Sequence, residues 1–522
     1  MKRCVLALLS LALAAPLPGL AQSRTSSELS AALERSTDRR PTALPLEEAL
    51  QRALRNNLGL LAKIRELEAA GYRAKAAIAP WMPVLSVGGT LLPSRNRRFS
   101  NDFQRWNVLG GTVGNYNVGL AFATPVGTTF SVGWDQSRTD FNLSWELDEG
   151  DLLGAVLSDQ QFKTRQANVS LSLNQSLLKG ISPDYNLNLL RQAEINVDAA
   201  EIQQGKEIET VLADVLKAYW DLAAARETLV IAQDSRDLAE DQREITQARI
   251  NAGDLAPIEL LRIDETAATR SSEVLDALRA VEEAEGRLKM VLGVGFGDEI
   301  AYAELIPVDG ATLLLPERTR DGSMETALAR NPDLLAAKSA LAVREMQWRA
   351  DKHSRLPTLD LNASLKVTGT GNDDPEAFRN LSSGGFMEGV IGLNLVSPLP
   401  DVGSVYLARA SGADVEASLM QLQQAEREIL SGVQASLLSI RSFDKQIEVE
   451  TVRIDLARRT VEAAEATFAV GRNTLRDVLE AQQALKAAQQ AKISAEVAAL
   501  KARVDLEVLR GSLLETLGVE LQ

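Results

Sequence analysis

Side chains able to do nucleophilic or soft-metal chemistry are scarce in this sequence. Its 522 residues include one histidine, His353, and one cysteine, Cys4, against 71 carboxylates. Catalytic triads and thiolate or imidazole metal sites draw on residue types that are nearly absent, and no cofactor or metal site stands out. His353 reads as an ordinary residue at a helix end. Among the carboxylates, Asp477 and Glu480, three residues apart, project from nearly the same face of a helix, and taken alone they read as a solvated pair of helix-surface acids.

A helical hairpin positions that pair. On its N-terminal side Val433, Ile440, Ile447, Ile454, Val461 and Phe468 recur every seventh residue, a coiled-coil seam on one side of an underwound helix. The interruption Phe468-Ala-Val-Gly471-Arg472-Asn473-Thr474 follows, and a second periodic segment then carries Val478, Leu485, Val497, Leu500, Val504 and Leu509. Gly471 supplies a left-handed stop and Asn473 or Thr474 a cap. The Ala-rich face at Ala463, Ala464 and Ala466 predicts close helix packing.

The start of the chain is of another kind. Met1-Lys2-Arg3, an apolar run to Ala15 and Gly19-Leu-Ala21 have the sections of a secretory signal peptide cleaved after Ala21. Cys4 lies in this leader, which leaves the mature chain no thiol for lipid or disulfide. Losing Lys2 and Arg3 takes the net charge from -15 to about -17, a balance that disfavours nucleic acid and anionic membrane surfaces. No later run offers the roughly 18 to 20 apolar residues of a spanning helix, so membrane insertion would have to use strands.

Such strands are visible as period-two rows: Tyr116, Val118, Leu120 and Phe122; Phe130, Val132 and Trp134; Val169, Leu171 and Leu173; Leu359, Leu361, Leu365 and Val367. Shorter rows lie at 85–91 and 387–395. An internal repeat orders them. Ala53 to Ala62, containing Asn57, matches Ala327 to Ala336, containing Asn331; Pro83 falls on Pro357, Gly253 on Gly471 and Gly293 on Gly511.

The division this predicts is a leader at 1–21, a polar lead-in at 22–43 with a short helix near 28–34, and a first repeat at 44–293. That repeat holds a helix from Leu46 to Ala79 with Leu50, Leu54, Leu58, Leu61 and Ile64 on one stripe, strands within 84–178, a long helix at 183–250, a tip at 251–256 and a return helix at 257–292. A connector at 294–322 leads to a second repeat at 323–513, with strands in 358–396, a long helix at 402–470, a tip at 471–474 and a return helix at 475–513; a tail occupies 514–522. A long helix of about 68 residues would reach close to 100 Å. Two half-length helices laid end to end would match it.

Phe468-Ala-Val-Gly471-Arg-Asn-Thr-Leu-Arg-Asp477-Val-Leu-Glu480, the helix start from Leu46 to Asn57 and Pro398-Leu-Pro-Asp401-Val-Gly403 ahead of the long helix resemble the TolC family of outer-membrane efflux channels. The resemblance spans nearly the whole mature chain. It implies a mixed α and β membrane protein, internally duplicated and homotrimeric, whose strands share one transmembrane β-barrel and whose hairpins form a periplasmic α-barrel tunnel. It also implies a passive duct for efflux or type I secretion, not an enzyme, with a periplasmic adaptor, an inner-membrane transporter and outer-membrane lipid as partners. The family's acidic constriction falls on Asp477 and Glu480. Its latch acid is present as Glu259, but the latch Arg position is Asn473 and the latch Tyr position is Phe468, which leaves Arg472 or Arg476 to substitute. Gly253, Asp254, Gly471 and Arg472 are the tip residues an adaptor would meet.

The first repeat is longer than the second in its strand region. Thr124-Pro-Val-Gly127 is a turn signal there, so an extra hairpin at 115–137 is expected to join the wall, giving six strands per protomer where the family pattern implies four. The alternative is a surface loop. A trimeric coiled-coil structural or adhesin-like surface protein accounts for the heptads and the export but not for the duplicated order of helix, strands and helix. A soluble periplasmic adaptor accounts for neither the long alternating strands nor the second copy.

Overall fold

The computed structural model describes residues 41–100, 105–145, 160–295, 297–309 and 318–518. The leader, the helix expected at 28–34 and the last four residues of the tail lie outside them. The chain divides into two compact units, one of residues 63–204 and 332–428, the other of the remainder. The two long helices contribute residues to both.

The first of these units contains a six-stranded antiparallel sheet in the order β2-β3-β4-β5-β7-β8. Its strands are β2 (Val84–Ser100), β3 (Arg105–Ala123), β4 (Thr128–Trp145), β5 (Gln160–Ser176), β7 (Thr358–Gly371) and β8 (Phe386–Val396). The hairpin expected to join the wall is in the sheet, with β3 paired to β2 and β4 to β5 along nearly their whole lengths. Its turn is anchored at the base of the sheet. Gln175 Nε2 donates to the Val126 carbonyl at 3.1 Å, Asn186 Nδ2 donates to the Pro125 carbonyl at 2.7 Å, and Gly127, at φ +76°, lies so close to the Gly180 carbonyl that a Cβ would sit 2.1 Å from it.

The strands run past the expected hairpin of 115–137, β3 starting at Arg105 and β4 ending at Trp145, because the apolar row does not continue on the same face: Phe141 and Leu143 lie on the face opposite Val132 and Trp134, and Val108, Leu109 and Val113 are divided between the two faces of β3. A helix that the sequence did not announce, α8 (Asp374–Ser382), stands between β7 and β8. Asp373 caps it by accepting from the Glu376 N–H, Ala377 is fully buried against Gly369, and Asp374 ion-pairs with Arg138 at 2.6 Å.

The expected helix from Leu46 to Ala79 is two helices, α1 (Leu46–Asn56) and α2 (Leu58–Ala76), followed by a single 3-10 turn at Ala79–Trp81. The break is at Asn57, whose side chain donates to the Val291 carbonyl at 3.1 Å and accepts from the Leu60 N–H at 3.2 Å. Leu58 is 78% exposed as a result, and the single stripe through Leu58 and Leu61 does not exist. In the second repeat α6 (Arg320–Arg330) and α7 (Pro332–Ser354) part at Asn331, whose side chain donates to the Leu509 carbonyl at 2.8 Å. His353 lies in the last turn of α7.

The first long helix begins later than 183. A one-turn helix, α3 (Pro183–Asn186), precedes α4 (Asn188–Ala252), because Asn186 is spent on the sheet's turn. The return helix α5 (Ile258–Val291) and the second long helix α9 (Val402–Ala469) fall where the periodicity puts them. The last return helix, α10 (Leu475–Arg510), stops three residues early at Gly511, φ +62°, and the short α11 (Leu513–Leu517) follows. The heptad seam faces inward, with Val433 fully buried and Val461 and Phe468 nearly so. Of the three alanines expected to pack, Ala464 is buried, while Ala463 and Ala466 are exposed.

Residues 41–43, expected in a polar lead-in, form with Leu44 the strand β1 (Pro41–Leu44), which pairs in parallel with β6 (Glu304–Pro307) in the connector. Tyr219, fully buried, ties both down: its hydroxyl donates to the Leu44 carbonyl at 2.9 Å and accepts from the Val308 and Asp309 N–H groups. No described helix is long and apolar enough to cross a membrane.

Candidate functional site

Both helical hairpins end in the same device. At the first tip the Gly253 N–H reaches the Ile250 carbonyl and the Asp254 N–H the Arg249 carbonyl; at the second the Gly471 N–H reaches Phe468 and the Arg472 N–H reaches Thr467. This is a Schellman stop, with glycine at φ +86° and +70°. Gly253, Asp254, Gly471 and Arg472 are all exposed. Beneath them Ile263 from α5, Val461, Ala464 and Phe468 from α9, and Leu475, Val478 and Ala481 from α10 form one buried apolar cluster. The tip is thus a packed object, not a pair of loose loops.

Asp477 and Glu480 sit on the exposed side of α10, away from Leu475, Val478 and Ala481. Each has a second occupation. Asp477 closes a capping box: its carboxylate accepts from the Thr474 N–H at 2.9 Å and from the Thr474 hydroxyl at 2.7 Å, while Thr474 accepts from the Asp477 N–H. The Thr474 hydrogen bonds hold this carboxyl below its ordinary range, with the Arg476 charge helping. Glu480 pairs with Arg476 at 2.6 Å, both side chains well exposed. Capping falls to Thr474 rather than Asn473.

The latch residues are not brought together within the chain. Glu259 pairs with Arg262 at 3.1 Å, one turn along its own helix. Arg476 is engaged by Glu480, and Asn473 and Arg472 are exposed. Phe468 is buried in the tip cluster. What joins the two tips is Arg249, a residue the sequence reading passed over. Its guanidinium lies 4.8 Å from the Phe468 ring centre and donates to the Phe468 and Ala469 carbonyls at 3.0 and 2.7 Å. It thereby satisfies the Ala469 carbonyl at the C-terminal end of α9 and gives the Phe468 carbonyl a second donor beside the Gly471 N–H. The only hint available was a basic residue in the last turn of a helix, and the repeat hides it, because the equivalent position is Thr467. Ile258, Leu261 and Val470 also leave apolar side chains 59%, 66% and 69% exposed at the tips. Among the described residues no cluster of three or more His, Cys, Asp or Glu could hold a metal ion.

A family model described as outer membrane efflux protein matches residues 49–294 and 324–512. The pyoverdine export outer membrane protein OpmQ of Pseudomonas aeruginosa is 25% identical over a stretch covering 67% of this chain and 73% of its own length. The outer membrane protein TolC of Escherichia coli is 24% identical over 67% and 70%. The solved structure of VceC from Vibrio cholerae has the same fold, with a TM-score of 0.64 over 89% of this chain and 96% of that one, at 15% identity. The two matched segments coincide with the two repeats, and the chain belongs to the outer membrane efflux protein family.

Proposed function

We propose that three copies of this chain assemble into a passive exit duct through which substrates leave the periplasmic side of the cell, with the energy supplied by an inner-membrane transporter and the tips met by a periplasmic adaptor. The observation that carries the reading is the two-faced sheet. Leu120 is 45% and Val132 40% exposed on one face, while the other bears Asn117, Asp135 and Asn168. Such a sheet suits lipid outside and water inside. In this reading Asp477 and Glu480 from three copies form the periplasmic gate ring, and Gly253, Asp254, Gly471 and Arg472, with Ile258, Leu261 and Val470 beside them, form the docking surface.

A duct that only conducts needs no catalytic residue, and transport proteins are what the family contains. The test is fractionation followed by planar-bilayer recording. A heat-sensitive trimer extracted from the outer membrane that conducts ions is expected. A trimer that stays on the surface without conducting would favour the adhesin-like alternative, and recovery in a soluble extract would overturn both.

A further inference from the structure

We infer that the extra hairpin β3–β4 spans the lipid as part of the wall, and that copies of this chain join β2 edge to β8 edge, so that three six-stranded sheets close an eighteen-stranded barrel. The count of three rests on the trimeric reading above. The place of the hairpin rests on the sheet itself.

The register shows why. Reading straight across the six strands, Val87, Val118, Trp134, Val169, Val367 and Met387 are aligned neighbours, and two residues away in the register so are Leu85, Leu120, Val132, Leu171 and Leu365. The intervening row, on the opposite face, is Ser86, Gly119, Gly133, Ser170, Lys366 and Glu388. The next on that face holds Asn117, Asp135, Asn168 and Thr368, with Asn168 bonded to Asp135 and the Thr368 hydroxyl donating to Asn168 at 2.8 Å. A surface loop folded away from the bilayer has no reason to continue an apolar row at the same height as its neighbours on both sides. Here the row passes through β3 and β4 without a gap, and the hairpin's turn is pinned at the base of the sheet by Gln175 and Asn186.

Among the described residues both ends of the sheet are open. β2 and β8 each have one partner, and their apolar side chains are bare, Val87 74% and Ile391 82% exposed. Unpaired backbone cannot face hydrocarbon. The two edge strands run in opposite directions, so β8 of one copy can continue the antiparallel ladder from β2 of the next, and a second copy supplies the same alternation of apolar and polar faces. Barrel diameter grows roughly linearly with strand number. Eighteen strands therefore give a bore about half as wide again as the twelve that four strands per copy would make, in the range where barrels hold an aqueous channel rather than packed side chains.

The experiment uses the full chain in reconstituted membranes. The only cysteine, Cys4, precedes the described residues, so with Cys4→Ser each added cysteine is unique. A bimane fluorophore is attached at Leu85→Cys, Leu120→Cys, Val132→Cys, Leu393→Cys or, as an inward control, Ser131→Cys, and quenching by lipids brominated in their tails is measured. Leu85, Leu120, Val132 and Leu393 should all lose most of their fluorescence while Ser131 keeps it. Quenching at Leu85 and Leu393 but not at Leu120 and Val132 would overturn the inference and leave the duct reading intact, since the wall would then lack the hairpin. Absence of quenching at all four would count against the membrane reading itself. Closure is read separately by oxidising Val87→Cys paired with Cys at Met387, Gly389, Ile391 or Leu393. Covalent dimers and trimers are expected from at least one pair, and intact heat-sensitive trimers that none of these pairs links would show that the copies meet along other strands.

Discussion

The acids at the tip show how much one side chain can be asked to do. Asp477 closes the capping box of the helix that presents it, with Thr474 as the cap, and capping interactions are worth about 0.5–2 kcal/mol, so its conversion to alanine would mix loss of charge with loss of structure. Asp477→Asn together with Glu480→Gln retains acceptors and removes the charge. In single-channel recordings that double variant should lose cation preference and block by divalent ions while trimers still assemble; unchanged selectivity would place the ring elsewhere. Arg476→Gln should act in the opposite direction, because it uncovers Glu480 from an exposed pair that itself contributes no more than about 1 kcal/mol. A different acid titrates near neutrality. Glu209 on α4 is 8% exposed and has an orphaned oxygen, and burial pushes its pKa up to about 7, against the backbone N–H groups of Leu513 and Leu514 that favour the charged form. A carboxyl raised in the folded state is bound there in its neutral form, so its burden on stability is absent below the unfolded value, grows as pH climbs toward 7 and is complete above it. Glu209→Gln should raise the melting temperature more at pH 8 than at pH 5, with an upper limit on the order of 3 kcal/mol. An equal gain at both pH values would show that Glu209 stays charged in the fold.

At the scale of elements the repeat has a physical content that residue matching only outlined. In each copy an asparagine between two helices reaches a carbonyl at the end of the return helix, Asn57 to Val291 and Asn331 to Leu509, and a glycine two residues beyond that carbonyl ends the helix at positive φ. The glycine is needed twice over: a Cβ at Gly293 would lie 2.4 Å from the Asn56 carbonyl oxygen, and one at Gly511 would lie 2.5 Å from that of Arg330. Gly471 has a similar φ but open space around it. Gly471→Ala should therefore cost only the left-handed penalty of about 1–2 kcal/mol, whereas Gly511→Ala must also displace backbone and should destabilise by clearly more in thermal unfolding. Equal losses would mean that the close approach to Arg330 relaxes freely. The same elements show what a sequence reveals and what it hides. The long helices, the tips and the return helix α5 were legible to within a few residues because a seven-residue step marks α9, the internal repeat carries the same division to the first copy, and a glycine punctuates each tip. The break at Asn57 was not, since Leu54, Leu58 and Leu61 keep helical spacing across it and only a contact more than 200 residues away interrupts the helix. Helix α8 was hidden by its brevity, and the upper lengths of β3 and β4 by a change of face, since Phe141 and Leu143 lie opposite the row of Val132 and Trp134 and the apolar residues of 105–114 fall on both faces. In the candidate site the acids and glycines were legible from spacing and resemblance, whereas Arg249 acts through backbone carbonyls of another helix, for which no motif exists.

For the whole molecule, one copy leaves a great deal unfinished. The rows at Leu85, Val87, Met387, Ile391, Leu393 and Leu395 are more than half exposed, both sheet edges lack partners among the described residues, and along α9 Leu438, Val449, Val452 and Leu456 are also bare. Contiguous apolar surface of this extent is not stable facing water, and edge strands of 17 and 11 residues invite pairing. The repeats do have a buried interior of their own, as the full burial of Tyr219, Trp220, Val433 and Val478 shows, so a copy released from the assembly would keep helical structure sooner than it would keep its sheet. Trimer dissociation and loss of the sheet should accordingly be one event in detergent solution. Heating should shift the protein from trimer to monomer on a gel over the same narrow temperature interval in which the β signal disappears from circular dichroism, with part of the helical signal persisting beyond it. A monomer that retains the full β signal after the trimer band has gone would show that the sheet closes within a single copy, and the shared-barrel reading would fall with it.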